Sequence, residues 1–333
     1  MKKNIIRWCF LSFAVLLVLA GCEKQNMPRA LEIQKPFKYT DKYYENLRAY
    51  KKSDHQLAFG WFADYSQSFS FGLHFKGLPD SIDIVSLWGG IPSMRQNDPK
   101  DSVTSYNPTA YEEMRYVREV KGIKMVVPVI VRMEEKKWTK LTDEGIIAYG
   151  DWLKGMVFDN DLDGLDLDYE PEGDWLQGAN FTKLVTYLGQ FMGPKSSNPE
   201  KLLIVDFYNQ LPPAETEPFV NYFVRQSYNA ASATTLQNQY NGVKAWCPVN
   251  KFIVTENIGD NWQNGGVAFT EADGNRLTKE GKQLYSLEGM ARWNPVEGKK
   301  AGFGAFYMQR DYNLDPPYKN FRRSIQAANP AVR

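Results

Sequence analysis

Two histidines and three cysteines among 333 residues remove several chemistries at once. With only His55 and His74 there is no H-E-x-x-H zinc motif, and no G-x-S-x-G nucleophile elbow accompanies either ring. Neither a G-x-x-x-x-G-K-[ST] loop nor a G-x-G-x-x-G fingerprint occurs, so a nucleotide cofactor has no cradle. No cofactor or metal is expected, and carboxylate chemistry remains. Cys9 and Cys22 fall in the first 22 residues. Cys247 is then left alone, no internal disulfide can form, and the domain must be held by its core. Charge of one sign is also missing. Lys2, Lys3 and Arg7 account for three of the 40 basic residues, which leaves 37 against 39 acidic ones beyond the first 22 residues. That near balance lacks the basic stripe that nucleic acid requires. Aromatic residues, by contrast, make up 14% of the chain. Most belong in a core, but exposed rings are good platforms for sugar faces.

The N-terminus reads as an export signal. Lys2, Lys3 and Arg7 form a positive region, and an apolar stretch from Trp8 to Leu19 follows that is too short for a stable transmembrane helix. It ends in Leu19-Ala20-Gly21-Cys22, which resembles the bacterial lipobox. The resemblance implies that residues 1–22 are a lipoprotein signal peptide and that Cys22 is lipidated, with firm membrane anchoring by several acyl chains. An ordinary cleaved signal is the alternative. The expected product is an exported bacterial lipoprotein at the outer membrane or cell surface. Residues 23–50 read as a tether and a short helix, the latter because Tyr43, Tyr44, Leu47 and Tyr50 have helical spacing.

From residue 51 to 333 the chain reads as one domain. Strands are expected at Leu57–Phe62, Ile82–Trp88, Ile123–Val131, Gly164–Glu170, Leu202–Tyr208, Phe223–Tyr228, Phe252–Asn257 and Gly302–Met308. Helical patterns lie between them at Tyr111–Val120, Asp143–Val157, Phe181–Met192, Ser232–Ala245 and Leu277–Ala291, and Tyr318–Ala328 closes the chain. Alternation of this kind predicts an α/β fold, a closed (β/α)8 TIM barrel. An open doubly wound sheet is the competing topology.

The segment Asp163-Gly164-Leu165-Asp166-Leu167-Asp168-Tyr169-Glu170 carries the chemistry. On a strand, Asp166, Asp168 and Glu170 share one face and the apolar residues take the other. Three carboxyls on one face of a core strand are costly without partners. Their crowding raises carboxyl pKa values, which suits a general acid. In a barrel the fourth strand would deliver Glu170 to the C-terminal face, where active sites lie. The same stretch also satisfies the calcium-loop pattern Asp159-x-Asp161-x-Asp163-Gly164-x5-Glu170. Strand alternation, Asp166 at a normally apolar loop position, and Pro171 after Glu170 argue against calcium.

D-x-x-D-x-D-x-E is the fourth-strand signature of glycoside hydrolase family 18, and Asp163, Asp166, Asp168 and Glu170 match it. The chain resembles that family over roughly residues 55–330. Gln226-Ser227-Tyr228 has the Q-x-Y look of the family's endo-β-N-acetylglucosaminidase branch. The resemblance implies substrate-assisted retaining hydrolysis. In it Glu170 is the acid/base, Asp168 takes the substrate acetamide N–H, Asp166 tunes Asp168 through a shared proton, and Tyr228 binds the acetamide carbonyl. Gln226, Asn257, Trp262, Tyr307 and Gln309 are expected at the substrate. Asp163 joins that set, although support of the strand start is the better reading for it. Met308, with Tyr307 beside it, stands where chitinases place a Trp under the sugar. The segment between Asn257 and Gly302 is too short for the inserted subdomain of many processive chitinases. An N-glycan or another GlcNAc-containing glycan is the implied substrate, with a chitinase or a non-catalytic glycan-binding lipoprotein as alternatives.

Overall fold

The structure, a computed structural model, describes residues 39–65, 70–96, 103–132, 140–170 and 177–331. Residues 1–38, with Cys22, the signal segment and most of the tether, lie outside the described part, as do Pro171 and the five residues after it. The short helix of the tether region is α1 (Asp41–Lys51), which buries Tyr44 and Leu47.

Eight parallel strands close into a barrel: β1 (Leu57–Phe62), β2 (Ile84–Leu87), β5 (Lys124–Ile130), β6 (Gly164–Tyr169), β7 (Leu202–Phe207), β8 (Tyr222–Gln226), β9 (Phe252–Asn257) and β10 (Gly302–Phe306). β1 pairs with both β2 and β10, which removes every free edge. The open-sheet alternative is thereby excluded. A small parallel pair, β3 (Ile91–Ser93) and β4 (Thr104–Tyr106), stands outside the barrel and has no strong strand pattern in the sequence.

Helices α2 (Pro108–Lys121), α3 (Asp143–Phe158), α4 (Gly178–Leu188), α5 (Ala233–Asn241), α6 (Ser286–Arg292) and α7 (Lys319–Ala328) pack outside. Local capping sets several starts. The side chains of Asn107, Thr142 and Ser232 accept from the amides of Ala110, Gly145 and Thr235. Gly122, at φ 70°, ends α2 in the left-handed conformation. The helix expected over Leu277–Ala291 keeps only its last turns. Leu277 pairs with Gln283 in an antiparallel bridge around Gly281, whose φ of 73° suits a turn rather than a helix.

Two cores follow from strand alternation. Phe59, Trp61, Ile84, Val126, Ile204, Val224 and Ile253 point inward and fill the barrel. Phe62, Val85, Leu165, Leu167, Leu203, Val205 and Phe303 point outward and meet the helices. Inward positions that continue past this filling, at the C-terminal strand ends, are therefore the site.

Candidate active site

On β6 the alternation holds: Leu165 and Leu167 lie in the outer core, while Asp166 and Asp168 turn into the barrel. Asp166 is fully buried. Its Oδ2 accepts from Trp61 Nε1 at 3.0 Å and from Ser86 Oγ at 2.8 Å, so strands β1 and β2 hold it. Asp168 lies one layer higher. Its Oδ1 accepts at 3.3 Å from Gln226 Nε2, which reaches over β7 from β8. Glu170, half-buried, follows at the end of the strand.

One acid of this group is not singled out by the signature. Asp206 on β7 is in register with Asp168, is 1% exposed, and accepts from the same Gln226 Nε2 at 2.6 Å. It lies within hydrogen-bonding reach of Asp166 and Asp168. A sequence signal existed: Asp206 ends an apolar strand on the same face as Ile204, a barrel-filling residue. Its partner strand, however, is known only once the barrel closes.

Burial raises the pKa of all three aspartates. For Asp168 the charges of Glu170 and Asp166 add to it, and Arg132 opposes. For Asp206 the charges of Asp168 and Asp166 add. For Asp166, bonds from Ser86, Asp206 and Trp61 offset part of the rise. Tyr228 is also pushed up, first by burial and then by Asp206, Asp168, Glu170 and Asp166, so its phenol keeps its proton. A neutral Tyr O–H and the crowded Asp168 carboxyl therefore face one mouth, the pair that can hold the C=O and N–H of an amide.

The mouth is aromatic. Phe306 lies nearly parallel to Tyr228 at 6.1 Å and edge-on to Trp61 at 6.0 Å and Trp88 at 5.3 Å. Tyr208 stacks on Tyr228 at 6.0 Å. The sequence leaves the floor of the subsite open between Met308 and Tyr307, and Met308 does not reach the mouth. Met308 is fully buried in the outer core, and Gly60 leaves the space that its sulfur fills. Phe306 is the inward ring at the end of the eighth barrel strand, because β10 stops there and the turn at Tyr307, in the left-handed region, breaks the alternation before Met308.

The other expected residues divide. Asn257 ends β9 beside Phe306, and its Oδ1 accepts from the Gly259 amide. Tyr307, in the left-handed region at φ 55°, packs its ring on Phe306 at 4.1 Å. Trp262 lies in the loop after β9, where its carbonyl accepts from Asn320. Gln309 is a correction. It is 2% exposed and donates to Asp64 at 3.3 Å, so it ties the β10 and β1 loops together beneath the surface. Asp163 as a substrate residue is a second correction. It precedes β6 at the N-terminal end of the barrel, roughly 20 Å along the strand from Glu170. There it accepts from Arg118 Nε at 2.8 Å and the Met125 amide at 2.8 Å. The calcium reading fails on the same ground. Asp159 caps the end of α3, Asp161 pairs with Arg118, Gly164–Tyr169 is strand, and no metal-holding acid group occurs among the described residues.

Residues 42–305 match the family described as the endo-beta-N-acetylglucosaminidase EndoS TIM-barrel domain. Endo-beta-N-acetylglucosaminidase F2 of Elizabethkingia meningoseptica is 25% identical over 295 residues, 84% of this chain and 81% of that protein. The solved endo-beta-N-acetylglucosaminidase of Cordyceps militaris superposes with a TM-score of 0.66 at 24% identity, over 89% of this chain and 98% of that one. A glycoside hydrolase family 18 chitinase of Pseudoalteromonas aurantia shares the fold at a TM-score of 0.53 and 14% identity, over 81% of this chain and all of its own. With most of the barrel inside the match, the chain belongs to the family of the endo-beta-N-acetylglucosaminidase EndoS TIM-barrel domain, and it is a glycoside hydrolase.

Proposed function

We propose that this endo-β-N-acetylglucosaminidase cuts the GlcNAc-β1,4-GlcNAc core of N-glycans with the substrate's own acetamide as nucleophile. One observation carries the reading: Glu170, Asp168 and Tyr228 converge on one aromatic mouth, with Gln226 fixing Asp168. Glu170 gives its proton to the glycosidic oxygen as the bond from that oxygen to C1 breaks. The acetamide oxygen attacks C1 and closes an oxazolinium ring. Asp168 accepts the acetamide N–H and offsets the positive charge, while Tyr228 donates to the carbonyl oxygen. Glu170 then removes a proton from water, which attacks C1 and opens the ring with retained configuration. A doubly substituted mutant of the Cordyceps militaris enzyme has also been solved with fucosyl-N-acetylglucosamine-Asn, the stub that such a cut leaves. That relative supports an N-glycan as the substrate here.

Mass spectrometry of a denatured N-glycoprotein after incubation tests this. One GlcNAc left on each glycosylated Asn, with the released glycan a β anomer, is the expected result. Cleavage of chitooligosaccharides without release from any N-glycan would reassign the enzyme as a chitinase. Binding without cleavage of either would make it a glycan-binding protein.

The N-terminal segment supports a second part of the proposal. Residues 1–22 act as a lipoprotein signal, and acylated Cys22 tethers the enzyme to the outer membrane or cell surface. Cys22→Ala is expected to release it from the membrane fraction with the barrel still folded. Unchanged membrane association would refute a Cys22 anchor.

A further inference from the structure

Asp166, Asp168 and Asp206 form a cluster of three inward carboxyls from adjacent strands, with too few donors to satisfy them. Gln226 Nε2 is shared between Asp168 and Asp206. Trp61 and Ser86 both reach the same oxygen, Asp166 Oδ2. Asp166 Oδ1 and Asp206 Oδ2 are buried with no donor among the described groups. Acceptors left bare in a barrel interior are destabilising. Two carboxyls facing each other find a donor only if one keeps its proton.

We propose that Asp206 is a positioning residue that stays protonated and shares its single O–H with the carboxyls of β6, holding Asp168 as the carboxylate that meets the substrate acetamide. The inference rests on the role given to Asp168 above. The charged neighbours of Asp206 favour its being the neutral member, whereas the Gln226 bond, at 2.6 Å to Asp206 against 3.3 Å to Asp168, favours charge on it. Asp166 and Asp168 face it from β6, with Glu170 farther along. Tyr228 faces it from the end of β8 and is itself neutral, and Gln226 carries no charge. Arg132, at the end of the third barrel strand, acts on Asp168 and favours charge there. Asp206 is also more enclosed than Asp168, being 1% against 8% exposed. Burial pushes its pKa well above the ordinary range. The expected proton sharing between Asp166 and Asp168 thus acquires a third member.

Asp206→Asn and Asp206→Ala separate the alternatives. Asn retains a neutral donor, so Asp206→Asn is expected to keep kcat within a few-fold and leave the acid limb of its pH profile in place. Ala removes the donor. Asp206→Ala is expected to lower kcat on the order of 10–100-fold, the scale for outer partners that orient a functional group. KM should hardly change, and the acid limb should move to higher pH because Asp168 loses a bond that favours its charge. Equal damage by both variants, or an unmoved acid limb in Asp206→Ala, would overturn the proposal. A second readout needs no turnover. If Asp206 is protonated in the fold, Asp206→Asn gains thermal stability relative to wild type as the pH rises above the carboxylate range. A melting difference that is flat with pH would overturn the neutral Asp206. Wild-type inertness towards glycans, beside a pH-dependent melting difference, would instead count against the acetamide role of Asp168.

Discussion

The two ends of strand β6 both carry aspartate, and they treat it in opposite ways. At the N-terminal end Asp163 receives two guanidinium bonds from Arg118, at 2.8 and 3.3 Å, and the Met125 amide, and Lys124 lies 3.7 Å away. Arg118 is buried against its charge, but Asp163 and Asp161 outweigh that and raise its pKa. At the C-terminal end three aspartates and Glu170 are gathered, and among the described residues Arg132 is the cation that acts on Asp168, while the aspartates accept from the neutral donors Trp61, Ser86 and Gln226. A neutralised acid fixes the fold. Acids crowded beyond the counter-charge beside them are held in readiness for charge that develops during reaction. The family signature spans both ends and does not distinguish them.

The largest effect that separates the ends should come from Glu170→Gln. It removes the proton donor and keeps the shape, so kcat should fall by about 10²-fold or more with glycan binding retained. Turnover like wild type would take Glu170 out of the acid role. Next come Asp168→Asn and Tyr228→Phe. Each should depress kcat, and the double variant should be little worse than the poorer single, because both groups act on one acetamide. Multiplicative losses would point to separate sites.

At the other end, Asp163→Ala strands Arg118 and the Met125 amide. Denaturant unfolding should report a loss of about 3–5 kcal/mol, while kcat of the folded fraction stays unchanged. A kinetic defect with intact stability would reverse the comparison. The smallest effect is one of pH. Asp168 has a raised pKa in the fold, so its contribution is fully present below its unfolded pKa, about 4, and is lost as the pH rises through the raised value. Replacing it with Asn should therefore reduce the alkaline loss of thermal stability, and melting curves of the two proteins between pH 5 and 9, roughly the range set by this linkage, would show it.

The site was legible where local rules decide it. Alternation alone set Asp166 and Asp168 on the inner face and Leu165 and Leu167 on the outer. The Q-x-Y stretch likewise put Gln226 inside and Tyr228 at the same mouth. It failed where a side chain's surroundings come from another strand. Met308 lies two residues beyond the last inward position of β10, and a loop turn sends it into the outer core. Gln309 follows it under the surface. Asp206 looked like any acid at a strand end until β7 paired with β6 and brought it level with Asp168. The α6 segment was overestimated because helical spacing over Leu277–Ala291 competes with a glycine turn and a backbone bridge, and the tertiary pairing prevailed.

The sequence by itself determined an α/β fold whose parallel strands are buried on both faces, since eight apolar runs alternate with helical segments, and it was strand pairing that closed the barrel rather than leaving an open sheet. It also determined the chemistry, because a two-residue period fixes which side chains share a face whatever the strand packs against. Only the tertiary structure decided which acids are neutralised and which are crowded. Charge state depends on the distance to partners, and the partners here come from other strands and helices: Arg118 on α2 for Asp163, Trp61 and Ser86 on β1 and β2 for Asp166, and Gln226 on β8 for Asp168 and Asp206.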